Sequence, residues 1–168
     1  MKRAPARPRA RPLASMRLLV LDVDGVMTDG RLEYDADGER GKSFHVRDGY
    51  GLKALLAAGI GVAVISGRRS AATQRRCREL GIRHVQLGVE DKGSALKRLL
   101  AQLGIEPSQC TCIGDDVPDV PMLQLAGLAV SVADGHPRAR AVAHRRTRLR
   151  GGEGAVREVC DWLLAARQ

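Results

Sequence analysis

Aromatic side chains are scarce in this 168-residue sequence, which contains one phenylalanine, two tyrosines and one tryptophan. So few rings provide almost no surface on which the bases of a single-stranded nucleic acid could stack. No apolar run approaches the roughly 20 residues that a membrane-spanning helix needs. The first 15 residues also lack the hydrophobic segment of a secretory signal. We therefore expect a cytoplasmic protein that does not associate with a membrane.

Cysteine pairs with metal-binding spacing are also absent. The four cysteines are Cys77, Cys110, Cys112 and Cys160. None forms a Cys-x-x-Cys pair, and Cys110 and Cys112 alternate along a predicted strand. This pattern disfavours a zinc site or a disulfide framework. Reduced cysteines of a cytoplasmic protein are the expectation.

Acidic residues are too few to balance the basic ones, so the formal net charge is +9. Five of these charges lie in residues 1–15, on Lys2, Arg3, Arg7, Arg9 and Arg11. We predict that residues 1–15 are a disordered Pro/Arg-rich arm and that residues 16–168 form one domain. A nucleic-acid-binding module is one alternative for such a basic chain. An anionic substrate explains the charge at least as well.

Short apolar runs alternate with helical stretches along residues 16–168. Strands are predicted at 17–22, 61–67, 84–88, 110–116 and 128–132, and helices at 49–59, 70–81, 91–104, 118–126, from 136 onward and at 155–166. Strands that alternate with helices and are buried on both faces indicate an α/β fold with a doubly wound, Rossmann-like parallel sheet.

Residues 31–46 break this alternation and predict a projecting β-hairpin. Leu32 and Tyr34 alternate before a turn at Asp37 and Gly38, and Phe44 and Val46 alternate after it. A projecting hairpin with apolar side chains needs cover, so we expect this segment to contact further copies of the chain.

Polar residues collect where the predicted strands end. They are Asp22 and Asp24 after the first strand, Ser66, Gly67 and Arg68 after the second, Lys92 after the third, and Asp115, Asp116 and Asp119 after the fourth. Ligands bind beyond the carboxyl ends of the strands in an open parallel sheet. Each motif alone is compatible with an ordinary turn, loop or helix cap. All of them in this order predict one catalytic site.

These motifs carry a resemblance to a known family. The segments "DVDGVMTDG", "ISGR", Lys92 and "GDDVPD" resemble the four motifs of the haloacid dehalogenase superfamily of phosphohydrolases. The longer segments "FHVRDGYGLKALLAAGI", "GDDVPDVPML", "SVADGHP" and "GGEGAVREVCDWLL" are similar to the 3-deoxy-D-manno-octulosonate 8-phosphate phosphatases. The similarity covers residues 17–168. It implies a haloacid dehalogenase-type fold and hydrolysis of that eight-carbon sugar-acid phosphate during lipopolysaccharide precursor synthesis.

The resemblance assigns roles to the residues that follow the strands. Asp22 would attack phosphorus to form an aspartyl-phosphate, which water then hydrolyses. Asp24 would protonate the leaving sugar oxygen and then take a proton from the attacking water. Ser66 would bind a phosphate oxygen, and Lys92 would neutralise the charge that develops during transfer.

The same resemblance implies Mg²⁺ as the cofactor. Its ligands would be the side chains of Asp22 and Asp115 and the backbone carbonyl of Asp24. Asp116 and Asp119 would lie outside the ligand set and orient Asp115 and its waters. The metal would offset the clustered carboxylates and let an anionic phosphate approach an anionic nucleophile.

The sequence has no room for a cap domain over the site, so other segments have to select the substrate. Only 36 residues separate Asp29 from Ser66, and 22 separate Lys92 from Asp115, too few for a folded cap. The resemblance implies a homotetramer in which each chain covers a neighbour's site. The implied substrate contacts are Asp24, His45, Val46, Arg47, Asp48, Gly49, Lys53, Arg68, Arg76 and Lys92. It also implies that the segment 151–154 enters an active site.

Two residues depart from the family pattern. Two alternatives to the implied function also stay open: a different sugar-acid phosphate and a phospho-receiver domain. Asparagine is more typical at His45, and a basic residue is more typical at Glu153. These differences leave a nine-carbon sialic-type acid 9-phosphate as an alternative substrate. A phospho-receiver domain has a similar sheet, but it places its acid pair first and a lone acceptor aspartate in mid-chain. Here the second acid cluster lies far downstream at Asp115.

Overall fold

A computed structural model describes residues 10–168 of the chain. The strands are β1 (Leu18–Leu21), β2 (Glu33–Asp35), β3 (Gly38–Gly41), β4 (Gly61–Ser66), β5 (His84–Leu87), β6 (Cys110–Gly114), β7 (Leu128–Ser131) and β8 (Arg145–Arg146). The α-helices are α1 (Val46–Ala57), α2 (Ala71–Leu80), α3 (Lys92–Leu103), α4 (Val120–Leu125), α5 (Pro137–Val142) and α6 (Ala155–Ala165), and short 3-10 helices lie at Leu13–Ser15, Pro107–Gln109 and Val117–Asp119. Within residues 10–168, no helix has the length and hydrophobicity needed to cross a membrane.

The main sheet has six parallel strands in the order β5-β4-β1-β6-β7-β8. The chain builds outward from β1 through β4 and β5, then returns to the other side of β1 with β6. This reversal of strand order opens a crevice beyond the carboxyl ends of β1 and β6. The predicted doubly wound α/β fold is confirmed. Over the described residues, the connection between β1 and α1 contains the hairpin β2–β3 and no cap domain.

Alternate residues of β1 face the two helical layers that cover the sheet. Leu19 and Leu21 pack in a core that includes residues of α1 and α6, whereas Leu18 and Val20 pack in a second core with residues of α3 and α4. Successive side chains of a strand point to opposite faces, so a strand buried on both faces must be apolar throughout. The four residues of β1 are completely buried. The two cores hold β1 rigidly beneath the loop that follows it.

Local capping signals explain why several helices match their predicted bounds. The side chain of Ser70 accepts a hydrogen bond from the Thr73 amide at 3.4 Å and starts α2. Gly81 ends this helix with a φ of +78°, a conformation that glycine adopts without strain. Asp91 caps α3 in the same way as Ser70, with the Ser94 amide 3.0 Å from its Oδ1.

The hairpin is shorter than the sequence pattern predicts. β3 ends at Gly41, and Val46 begins α1 instead of lying in a strand. The His45 imidazole accepts a hydrogen bond from the Arg47 amide at 3.2 Å, which caps the helix. The prediction for Val46 was wrong because two alternating residues cannot distinguish the end of a strand from the start of a helix. Phe44 packs against the core from the connection between β3 and α1.

Residues that precede Met16 contact the folded domain. The first nine residues of the predicted arm lie outside the described residues. The Arg11 amide donates to the Gly127 carbonyl at 3.0 Å, and Leu13 packs against the core. Arg11 and Leu13, which belong to the predicted arm of residues 1–15, therefore contact the domain, and a domain boundary at residue 16 stays a prediction.

The glycine-rich segment 151–154 forms a turn directly before α6. The Gly152 amide donates to the Val26 carbonyl at 3.0 Å. A Cβ at Gly151 would overlap with the backbone carbonyl of Gly25. The turn thus packs against the loop that follows β1 in the same chain. The entry of this segment into an active site stays a prediction. Glu153 itself is exposed.

A side chain at position 151 should therefore disturb the loop after β1. We expect Gly151→Ala to lower the free energy of unfolding by about 1–3 kcal/mol, because the methyl group overlaps backbone that cannot rotate away. Gly41→Ala is the matched control, since a Cβ there meets nothing within 4 Å. Urea unfolding followed by circular dichroism measures both variants. Equal stability of the two would contradict the close packing of the turn.

Candidate active site

A cleft of about 340 Å³ lies beyond the carboxyl ends of the parallel strands. It is lined by Asp22, Asp24, Gly30, Leu32, Ser66, Gly67, Arg68, Lys92, Asp115, Asp116, Pro118 and Asp119. Every residue singled out after a strand is present, because the four connecting loops leave the sheet at the same edge. The structure therefore brings the residues of these four loops together in one cleft.

Lys92 is the buried cation at the centre of the cleft. Its Nζ lies 2.7 Å from Asp22 Oδ1 and 2.6 Å from Asp119 Oδ1. Burial lowers the pKa of Lys92, but the two carboxylates outweigh this effect and the net shift is upward. Lys92 therefore remains protonated beside Asp22, where it can neutralise charge on an incoming phosphate.

Asp22 and Asp115 lie in an environment that disfavours their ionised forms. The pKa of Asp22 is raised to about 6, mainly by burial and further by the charge of Asp119, with Lys92 offsetting part of the rise. Burial and the charges of Asp119 and Asp22 raise the pKa of Asp115 to about 8. Two acids with such raised pKa values need a positive charge to be ionised together at neutral pH.

The carboxylates of Asp22, Asp115 and Asp119 form a group that suits a hard divalent cation. Each offers one oxygen, and these oxygens lie within 4.8 Å of one another. Three carboxylate oxygens are the donor type that Mg²⁺ selects, so the residues present fit the implied metal. Gly25 stands against this group with a φ of +85°, and a Cβ there would collide with the Asp115 carboxylate.

Asp119 is held by other groups on both of its oxygens. Oδ1 accepts from Lys92, while Oδ2 accepts from the backbone amides of Asp115 and Asp116 at 2.8 and 3.1 Å. This arrangement fixes the loop that carries Asp115. Asp116 is half exposed and caps the following 3-10 helix through the Val117 amide.

Ser66 ends β4 at the floor of the cleft and is buried. Its Oγ accepts from the Arg68 amide at 3.4 Å, a long bond that leaves the hydroxyl hydrogen free to donate. A serine hydroxyl at this place can bind an oxygen of a phosphate group.

The hairpin brings charged residues to the site that the sequence motifs did not indicate. Lys42, immediately after β3, forms an ion pair with Asp24 and lies 3.2 Å from Glu39. Glu39 accepts from Arg68 at 2.6 Å, and this bond is the largest cause of its lowered pKa. Arg68 also donates to the Tyr34 hydroxyl at 3.2 Å. Charged residues on an exposed ribbon normally face solvent, so no pattern in the sequence indicated these contacts.

Seven of the predicted substrate contacts do not line this cleft. They are His45, Val46, Arg47, Asp48, Gly49, Lys53 and Arg76, on or next to α1 and on α2. Asp48 is buried and accepts from the Arg157 amide at 2.8 Å, so it ties α1 to α6. Val46 is 77% exposed, and Arg47 and Lys53 are exposed. Of the cationic contacts, Arg68 and Lys92 belong to the chain's own cleft.

A Rossmann-like parallel sheet with an Asp-x-Asp pair after β1, a buried lysine and a second acid cluster after β6 defines the haloacid dehalogenase-like hydrolases. Residues 85–157 match that family. The phosphatase of Yersinia pestis for 3-deoxy-D-manno-octulosonate 8-phosphate is 49% identical over 154 residues, which cover 92% of this chain and 82% of the relative. The enzyme of that name from Escherichia coli K12 is 46% identical over 153 residues, covering 91% and 81% of the two chains. The chain belongs to the family of the 3-deoxy-D-manno-octulosonate 8-phosphate phosphatases.

Solved structures agree with this assignment. The crystal structure of the Yersinia pestis phosphatase has a TM-score of 0.90 and 48% identity, covering 93% of this chain and 84% of that chain. The Moraxella catarrhalis phosphatase also has a TM-score of 0.90, at 46% identity, and covers 93% and 90%. That structure contains a magnesium ion, a phosphate ion and the sugar acid. The resemblance identified from the sequence motifs is confirmed.

The acid cluster should make the metal-free protein less stable as pH rises. The raised pKa values of Asp22 and Asp115 mean that the folded state binds more protons than the unfolded state, so their contribution to stability falls from about pH 4 to pH 8. Mg²⁺ should raise the melting temperature more at pH 8 than at pH 5, because protons and metal compete for the same oxygens.

Differential scanning calorimetry with and without Mg²⁺ measures this effect. Asp115→Asn should remove most of the pH-dependent response to Mg²⁺. Asp37→Asn, at the hairpin turn, is the matched control and should retain it. A Mg²⁺ response that is independent of pH in the wild type would contradict the cluster as the metal site.

Proposed function

We propose that the chain is a Mg²⁺-dependent phosphatase that hydrolyses 3-deoxy-D-manno-octulosonate 8-phosphate to the free sugar acid and phosphate in lipopolysaccharide precursor synthesis. The observation that carries this proposal is the position of Asp22. It follows β1 directly, at the switch point of the sheet. Its Oδ1 lies 2.7 Å from the Nζ atom of the buried Lys92, and its carboxylate is grouped with that of Asp115. The membership of the phosphatase family supports the same substrate.

The reaction follows from how the chain orients its own groups. Asp22 is held by the bond from its amide to the Ile113 carbonyl, 3.1 Å long, and its carboxylate faces the cleft. It attacks the phosphorus in line and forms the aspartyl-phosphate. Ser66 and Lys92 bind oxygens of the transferring group and stabilise the negative charge that develops on it.

Asp24 acts as general acid and then as general base in the two half-reactions. It lies two residues after Asp22 and also lines the cleft. It donates a proton to the leaving sugar oxygen, then accepts one from the water that hydrolyses the aspartyl-phosphate. Mg²⁺, held by Asp22, Asp115 and the Asp24 backbone carbonyl, supplies positive charge that offsets the repulsion between the phosphate and the carboxylates.

A homotetramer in the cytoplasm is the second part of the proposal. The hairpin exposes Leu32 and Tyr34, and α1 exposes Val46 and Tyr50, with between 40% and 77% of each residue accessible. A two-stranded ribbon is marginally stable alone, so packing against other copies would stabilise it. The predicted contacts that do not line the chain's own cleft, His45–Gly49 with Lys53 and Arg76, would then contact substrate in a neighbour's cleft.

Phosphate release from a panel of sugar phosphates tests the activity. We expect Mg²⁺-dependent turnover concentrated on the eight-carbon acid and a loss of at least about a thousandfold in Asp22→Asn, which lacks the nucleophile. Asp37→Asn is the matched control and should keep wild-type turnover. Preference for a nine-carbon sugar-acid 9-phosphate would retain the mechanism and change the substrate. No metal-dependent hydrolysis of any member would overturn the proposed function.

Analytical ultracentrifugation tests the assembly. We expect a tetramer for the wild type and a shift to smaller species for Val46→Glu, because a charge would be buried at the interface. Glutamate is favourable in the first turn of a helix, so the isolated subunit should stay folded. Gln74→Glu makes the same charge change in the first turn of α2 and should remain tetrameric. A monomeric wild type at micromolar concentration would refute the assembly alone.

A further inference from the structure

The side chain of Lys42 is buried beside the acid–base group of the site. Only 2% of this side chain is exposed, and its ammonium contacts the Oδ1 atom of Asp24. Lys42 comes from the hairpin and not from any of the four loops that supply the other cleft residues. Burying a lysine is unfavourable unless it is paired, so the contact with Asp24 is a specific feature of the fold.

Glu39 holds the other side of the Lys42 ammonium. Its Oε1 lies 3.2 Å from Lys42 Nζ, and its Oε2 lies 2.6 Å from Arg68 Nη2. The charges of Asp24, Lys42, Glu39 and Arg68 therefore alternate in sign across the cleft. This row, which we call the hairpin charge row, connects the hairpin to the loop after β1 and to the loop after β4.

We propose that Lys42 is a positioning residue that orients Asp24 for proton transfer to the leaving group. The inference rests on the proposed function, because it assigns Lys42 to the proton transfer of that reaction. Lys42 contacts Oδ1 of Asp24. In the donor form of Asp24 the proton is on Oδ2, next to the oxygen of the leaving sugar, and Lys42 pairs with the carboxylate that forms once this proton is transferred. Glu39 keeps the ammonium in place, and Arg68 keeps Glu39 in place.

The step that depends on this orientation is the formation of the aspartyl-phosphate. A bond forms between the Asp22 carboxylate and phosphorus while the bond between phosphorus and the sugar oxygen breaks. The sugar oxygen keeps the electron pair of that bond and takes the proton from Asp24. A misplaced proton donor slows this step for an alkoxide leaving group. It has little effect on a nitrophenolate, which leaves without a proton.

Leaving-group dependence separates positioning from a purely structural role. The value of kcat/KM covers events up to departure of the leaving group, so the later hydrolysis of the aspartyl-phosphate does not enter it. Three esters suffice: the eight-carbon sugar-acid phosphate, ribose 5-phosphate as a neutral sugar ester, and para-nitrophenyl phosphate. Single-turnover rates with excess enzyme give kcat/KM where hydrolysis is slow.

Lys42→Met should lower kcat/KM for both sugar esters by about 10- to 100-fold and leave the aryl ester nearly unchanged. Lys42→Arg should recover most of the loss, because it keeps the cation. Glu39→Gln should show the same difference between sugar and aryl esters with a smaller loss of kcat/KM. This variant tests the role of Lys42 if Lys42→Met does not fold. Arg40→Met is the matched control, since Arg40 is exposed on β3 and pairs with Asp35.

Three results would overturn the inference. An equal loss on all three esters, or none, would make Lys42 a structural anchor of the hairpin. A loss confined to the sugar-acid ester would assign the effect to Arg68 and the substrate carboxylate instead of to proton transfer. A wild type that hydrolyses none of the esters would overturn the proposed function itself. This outcome is distinct from the results that overturn only the role of Lys42.

Discussion

Repulsion between Asp22 and Asp115 is the constraint around which the site is organised. The strands that carry them, β1 and β6, are neighbours in parallel register, so both acids leave the sheet at the same edge. Burial raises the pKa of each, and solvent does little to screen their charges. Lys92 brings one buried cation to Asp22, and the backbone amides that hold Asp119 prevent its charge from moving closer. The charge that remains is offset by a divalent cation.

Close backbone packing extends this constraint to the end of the chain. Gly25 lies directly against the Asp115 carboxylate, and the carbonyl of Gly25 lies directly against Gly151. A larger residue at either position would push the loop that carries Asp24 out of place. The glycines before α6 are therefore explained by contact with the catalytic loop of the same chain. They allow close backbone packing that fixes the position of the loop after β1. The exposed Glu153 does not take part in this packing.

Most of the fold could be predicted because its signals are local. Ser70 begins α2 and Gly81 ends it, each through capping contacts that lie within one turn of the helix. Each catalytic motif directly follows an apolar strand. Lys42 and Glu39 could not be predicted, because their roles depend on the hairpin folding back over residues that are 18 and 29 positions away. Val46 was predicted to lie in a strand for a related reason, because the start of α1 at this residue depends on the His45 cap and on tertiary packing. Sequence reasoning therefore found the residues of the four loops and missed those that tertiary contacts bring to them.

The hairpin charge row also affects how a chain without a cap can select its substrate. Arg68 is the cleft cation nearest to the hairpin, and in this structure its charge is matched by Glu39 at 2.6 Å. Under the proposed function, a substrate carboxylate would compete with Glu39 for the Arg68 guanidinium, whereas a neutral sugar phosphate would leave the Glu39–Arg68 pair in place. Discrimination between sugar acids and neutral sugars would then arise within a single chain, whereas discrimination between acids of different length would require contacts further from Arg68.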